Sequence, residues 1–178
     1  HARRENLAYE VIPIADTKPE TRQRKLLQTL RECELPAIVY VSRTKRVDEL
    51  VQLLTTAGMA ALGYHGKLKR EEKQLNQEAF MRGEAEVMVA TNAFGMGVDK
   101  EDVRTVIHYN ISASLENYVQ EAGRAGRKKD IEARCLVLYH PDDLDGHFQL
   151  LRQSKLNQQE IDQIWRAIKR MTRFRDRV

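Results

Sequence analysis

The chain has 178 residues, a net charge of +4, 42% apolar, 31% charged and 6% aromatic residues. That is enough chain for one core and a short appendage, and it excludes a disordered polyelectrolyte or a collagen-like fibre. The mild positive balance permits a phosphate-rich partner without proving one. No run of about 18 apolar residues exists, so no membrane span and no membrane partner are expected. Cys33 and Cys135 stand far apart without histidine neighbours. No metal site is readable from them, and they are expected to be reduced thiols of a cytoplasmic protein, in a bacterial cytosol or nucleoid. The chain starts at His1 and is expected to be excised from a longer protein.

In chain order, Leu7 to Ile14 predicts a first strand. Pro19 to Cys33 predicts a helix, with Leu26, Leu27 and Leu30 at helical spacing. Ala37 to Ser42 is a continuous apolar strand. Thr44 is expected to cap the next helix, whose Val47, Leu50, Val51 and Leu54 share a face and which Gly58 ends. Ala60 to Tyr64 predicts a short strand. Lys67 to Arg82 predicts an amphipathic helix with Leu68, Leu75, Ala79 and Phe80 turned inward. Glu86 to Thr91, Arg104 to Tyr109 and Arg134 to Tyr139 predict three more strands. Ser114 is placed to cap a helix reaching about Arg124, and two helices are expected near Asp142 to Gln153 and Asn157 to Phe174. Apolar strands alternating with helices predict an α/β domain, a mostly parallel sheet covered on both faces. The division expected is a domain over residues 1–140 and a helical extension, or the start of a following domain, over 141–178.

Ligands of such sheets sit beyond the carboxyl ends of the strands, so the residues there are the candidates. Gln120, Arg124 and Arg127 fall four and three apart, on one face if the segment is helical. Guanidinium groups donate paired hydrogen bonds to phosphate oxygens. A basic helix end that merely complements the macrodipole is the alternative. Thr91 to Lys100 holds Gly95 and Gly97 before Asp99, a loop able to offer backbone N–H groups to phosphate; a plain tight turn is the alternative. Ser42, Arg43 and Thr44, and likewise His65, Gly66 and Lys67, lie between a strand and a helix start. Two such helix N-termini side by side suit successive phosphates of one strand, and simple capping is the alternative. No GxxxxGK[ST] loop and no acidic run for magnesium are present, so the chain reads as half of a nucleotide site.

Together these segments resemble the C-terminal motor domain of superfamily-two helicases, most closely the RecQ group. Residues 37–50 (AIVYVSRTKRVDEL) are similar to motif IV, 87–110 (VMVATNAFGMGVDKEDVRTVIHYN) to motif V and 114–127 (SLENYVQEAGRAGR) to motif VI. The resemblance implies a RecA-like three-layer fold and one half of an ATP-dependent 3′-to-5′ DNA helicase. It implies that Arg127 is the arginine finger, Arg124 a second phosphate-facing arginine, and Gln120 a coupling residue. Gly97 and Asp99 would line the nucleotide side. Thr91 and Asn92, with Ser42, Arg43, Thr44, His65, Gly66 and Lys67, would hold single-stranded DNA. ATP with Mg2+ would be held mainly by a first RecA-like domain, which is the other implied partner beside single-stranded DNA or DNA junctions. An RNA helicase or remodelling motor half, or a non-catalytic nucleic-acid-binding module, is the competing expectation. RecQ proteins also carry a cysteine-rich zinc subdomain after the motor, and no cysteine follows Tyr139 here. Asp99 stands where RecQ motif V often has asparagine.

Overall fold

A computed structural model describes residues 7–91, 100–110, 124–126, 128, 130–140 and 142–143. Among the described residues nine elements follow one another: β1 (Leu7–Pro13), α1 (Pro19–Glu32), β2 (Ala37–Tyr40), α2 (Thr44–Thr56), β3 (Ala61–Tyr64), α3 (Arg70–Met81), β4 (Val87–Ala90), β5 (Thr105–His108) and β6 (Ala133–Tyr139). The strands form one sheet in the order β1-β6-β5-β2-β4-β3, and every neighbouring pair runs parallel. The α/β architecture expected from the alternating pattern is therefore present.

Strands β2, β4 and β5 are buried along their whole length, as interior strands covered on both faces must be. Two apolar layers fill the space on either side of the sheet. One packs Leu26 and Leu30 of α1 and Val47, Leu50 and Leu54 of α2 onto Val39, Val89, Ile107 and Leu136. The other packs Phe80 onto Ile38, Met88 and Val106, with Ala85, Val103 and Ala125. Residues alternate between the layers along each strand, which is the two-residue period of the pleat.

Helix limits follow local chemistry. Proline opens α1. Helix α2 ends at Thr56 with Ala57 as its C-cap, and Gly58 turns the chain out at φ +90°. Two expectations change. Thr44 is the first residue of α2 and does not cap it; Arg43, in extended backbone, holds the cap position, and no side chain caps the helix. Leu75 points to solvent, 63% exposed. It lies five residues from the buried Phe80, off that residue's face. Asn76, four residues from Phe80, turns inward instead and donates from Nδ2 to the Gly63 carbonyl oxygen at 2.8 Å. The helices expected near 114–124, 142–153 and 157–174 lie outside the described residues, apart from a few at their ends.

Candidate nucleic-acid interface

The carboxyl ends of four neighbouring strands, β5, β2, β4 and β3, carry Asn110, Ser42, Thr91 and His65 in that spatial order. Strands in a sheet lie roughly 4.8 Å apart, so these residues form a continuous row. Backbone bonds just past the strand ends fix it. Tyr109 donates its N–H to the Tyr40 carbonyl, Val41 to that of Ala90, and Thr91 to that of Tyr64. Ser42 donates both its N–H, at 3.3 Å, and its hydroxyl, at 3.4 Å, to Oδ1 of Asn110. Asn110 thus orients the first loop, a role hidden in the sequence because the partners lie 68 positions apart.

The two loops expected side by side are separated by β4, and Thr91 stands between them. Ser42, Arg43, Gly66 and Lys67 are exposed, whereas His65 and Thr91 are buried. His65 is 4% exposed. Its Nδ1 accepts the N–H of Lys67 at 3.2 Å, which leaves the proton on Nε2 to donate to Asp48 Oδ1 of α2, also at 3.2 Å. The ring therefore ties the β3–α3 loop to α2, and the exposed groups beside it are Gly66 and Lys67. Asp48 gave no signal in the sequence; its position in the second turn of α2 finds meaning only once that helix lies against the loop.

The two helix N-termini are not equivalent toward an anion. The first turn of α3 contains Glu71 and Glu72. The first turn of α2 contains no acid. The positive end of the α2 dipole, next to Arg43, is the better place for a phosphate.

Of the residues expected to face the nucleotide, Arg124 is described, and Gln120, Arg127, Gly97 and Asp99, like Asn92 of the nucleic-acid set, lie outside the described residues. Arg124 is half-buried, in a turn with buried Ala125 and Gly126. Gly126 has φ +58°, which no continuing right-handed helix adopts. Right-handed helix therefore does not continue through Gly126, and the condition for one shared face fails there; the glycine suits a turn that needs left-handed backbone. Gly126 donates its N–H to Val103, at 2.8 Å, and Lys128 to Glu101, at 3.1 Å. The end of the segment that resembles motif VI is thereby fastened to the one that resembles motif V.

Residues 17–129 match the family described as "Helicase conserved C-terminal domain". This chain belongs to that family. Its curated relatives place it in the RecQ-like group. It is 37% identical to the ATP-dependent DNA helicase RecQ of Bacillus subtilis over 85% of the chain and 25% of the relative. It is 39% identical to the ATP-dependent DNA helicase Q1 of Pongo abelii over 70% of the chain and 19% of the relative. The chain thus spans about a quarter or less of the length of these proteins. A DEAD box protein from Methanococcus jannaschii superposes with a TM-score of 0.72 at 21% identity, covering 85% of this chain and 41% of that one. At that identity the likeness shows the RecA-like helicase fold alone.

Proposed function

We propose that this helicase C-terminal domain is the second motor domain of an ATP-dependent 3′-to-5′ DNA helicase. In this reading residues 1–140 form the motor domain and 141–178 a helical extension. The domain works in the cytoplasm against a first, phosphate-loop motor domain of the same protein. The observation that carries the reading is the row at the carboxyl edge. Exposed Ser42, Arg43 and Lys67 flank Thr91 along adjoining strand ends, beside a helix N-terminus with no acid in its first turn. Repeated cationic and N–H donors along one edge suit successive phosphates of a single strand or of a junction arm. The names of the RecQ-type relatives support DNA as that strand.

Toward ATP, this chain contributes arginines. Arg124 lies in a turn secured to the sheet through Ala125 and Gly126, a rigid support for a phosphate-facing guanidinium. Arg127 is the finger, Gln120 couples it to the interface, and Gly97 and Asp99 line the nucleotide. Among the described residues no three His, Cys, Asp or Glu side chains gather. In this reading magnesium is held mainly by the phosphate-loop domain. When bound, ATP with Mg2+ supplies the phosphoryl transfer; Arg127 stabilises charge on the transferring group, worth roughly 10³ to 10⁵ in rate in phosphoryl-transfer enzymes.

The test is Arg127→Ala in the full-length protein. ATP hydrolysis and unwinding are expected to vanish while DNA binding is retained. Near-normal hydrolysis in that variant rejects the finger. Hydrolysis stimulated by RNA and not by single-stranded DNA rejects the DNA reading.

A further inference from the structure

Lysine is seldom fully buried, yet Lys100 is only 8% exposed. Its ammonium lies 3.0 Å from Asp102 Oδ1, 3.4 Å from the carbonyl oxygen of Met81 and 5.4 Å from the centre of the Phe80 ring. Phe80 and Met81 form the last turn of α3, where the negative end of the helix dipole favours a cation. The charge thus pins the start of a short strap, residues 100–103, to the end of α3.

The strap has a second set of partners. Its Glu101 carbonyl accepts the N–H of Lys128, and its Val103 carbonyl accepts that of Gly126. These two bonds fasten the chain immediately before and immediately after Arg127. Val103, Ala125 and Phe80 lie in the same buried cluster, so the strap, the arginine-bearing turn and the end of α3 pack as one unit. A buried apolar side chain at position 100 would supply packing without the cost of desolvating a charge. A three-partner ammonium adds direction, which sets where along α3 the strap sits.

We propose that Lys100 is a positioning residue for phosphoryl transfer: through the 100–103 strap it holds Gly126 and Lys128, the residues on either side of Arg127 in the chain. The inference rests on Arg127 being the finger. Displacement of a catalytic group by about 1 Å lowers rates by roughly 100-fold, so loosening the strap affects turnover more than binding.

The experiment compares Lys100→Met, Asp102→Asn and Arg127→Ala in the full-length protein, by DNA-stimulated ATP hydrolysis, single-stranded DNA affinity and thermal melting. Lys100→Met is expected to lower kcat about tenfold or more, with the KM for ATP and the DNA affinity within about twofold of the parent. Asp102→Asn keeps its size and loosens the same ammonium from its exposed side; a smaller fall in kcat alone is expected. Should Lys100→Met fail to fold, Asp102→Asn decides by the same criterion. Unchanged kcat in both variants, with Arg127→Ala inactive, overturns the inference and leaves the finger standing. A parallel loss of kcat, KM and DNA affinity also overturns it, since that marks general structural support. If Arg127→Ala retains hydrolysis, the finger and this inference both fail.

Discussion

Arg22 Nη1 donates to the carbonyl oxygen of Tyr109 at 2.7 Å, from the first turn of α1 to the residue that follows β5. The same nitrogen reaches the Leu138 carbonyl at 3.2 Å, and Nη2 pairs with Asp143. One buried guanidinium therefore joins α1, the ends of β5 and β6, and the start of the segment after β6. Arg22→Met leaves those acceptors dry and unpaired. Removing one partner from a buried pair costs about 3 kcal/mol, and that loss is expected in urea unfolding of the domain. A loss under about 1 kcal/mol, the level of ordinary surface substitutions, shows that the carbonyls find other donors.

Tyr109 itself predicts an alkaline effect. Burial raises its phenol above the ordinary value, with Arg46 and Arg22 acting weakly the other way. Burial likewise raises the Cys33 thiol. A raised pKa means that the folded state holds its proton longer than the unfolded chain does. Stability from this source is complete below the unfolded pKa, near 10 for the phenol, and is lost as pH rises through the folded value. Tyr109→Phe should flatten this limb of stability against pH, with Cys33→Ala removing an earlier part. At pH 7 the Phe variant should differ by less than about 1 kcal/mol, because the hydroxyl has no hydrogen-bond partner among the described residues. An alkaline limb identical in parent and Tyr109→Phe sinks the explanation.

The link from Asp48 to His65 governs the loop that presents Gly66 and Lys67. Asp48→Ala removes the acceptor of the Nε2 proton, whereas Asp48→Asn keeps an oxygen there. A net hydrogen bond of about 1 kcal/mol corresponds to roughly fivefold in single-stranded DNA affinity if the loop contacts the strand. The Ala variant is expected to lose that much in full-length protein at fixed salt, and the Asn variant much less. Equal affinities for all three proteins remove the loop from the interface.

The strands were legible because interior parallel strands are continuous apolar runs, and β2, β4 and β5 each fall inside the predicted span. The loops after them were legible because chemistry gathers at strand ends. Three relationships were not. Thr91 standing between the two helix-start loops depends on strand order, which places β4 between β2 and β3. The amphipathic pattern of Leu68, Leu75, Ala79 and Phe80 places Leu75 inward, whereas Asn76 is the residue that satisfies a carbonyl of the sheet edge. Lys100 reads as one more charge in a charged chain; its burial arises from contacts with α3, 19 positions earlier. Each depends on tertiary distance, to which local pattern is blind.

Close approach of α2 to the sheet yields the remaining prediction. A Cβ added at Gly63 would lie 2.8 Å from Val47 Cγ1 and 3.3 Å from Val51 Cγ2. Val47 is fully buried, and its branched side chain has one strongly preferred rotamer in a helix, so it cannot swing aside. Helix α2 must then shift from β3, moving Asp48 relative to His65. Gly63→Ala is expected to cost about 1–3 kcal/mol, the range for overpacking. Val47→Ala alone leaves a void, also destabilising, but combined with Gly63→Ala it vacates the space that the new methyl needs. The double variant should therefore be less destabilised than the sum of the two singles, by at least about 0.5 kcal/mol. Strict additivity in urea unfolding shows that Gly63→Ala is accommodated by movement of β3 and not by contact with Val47.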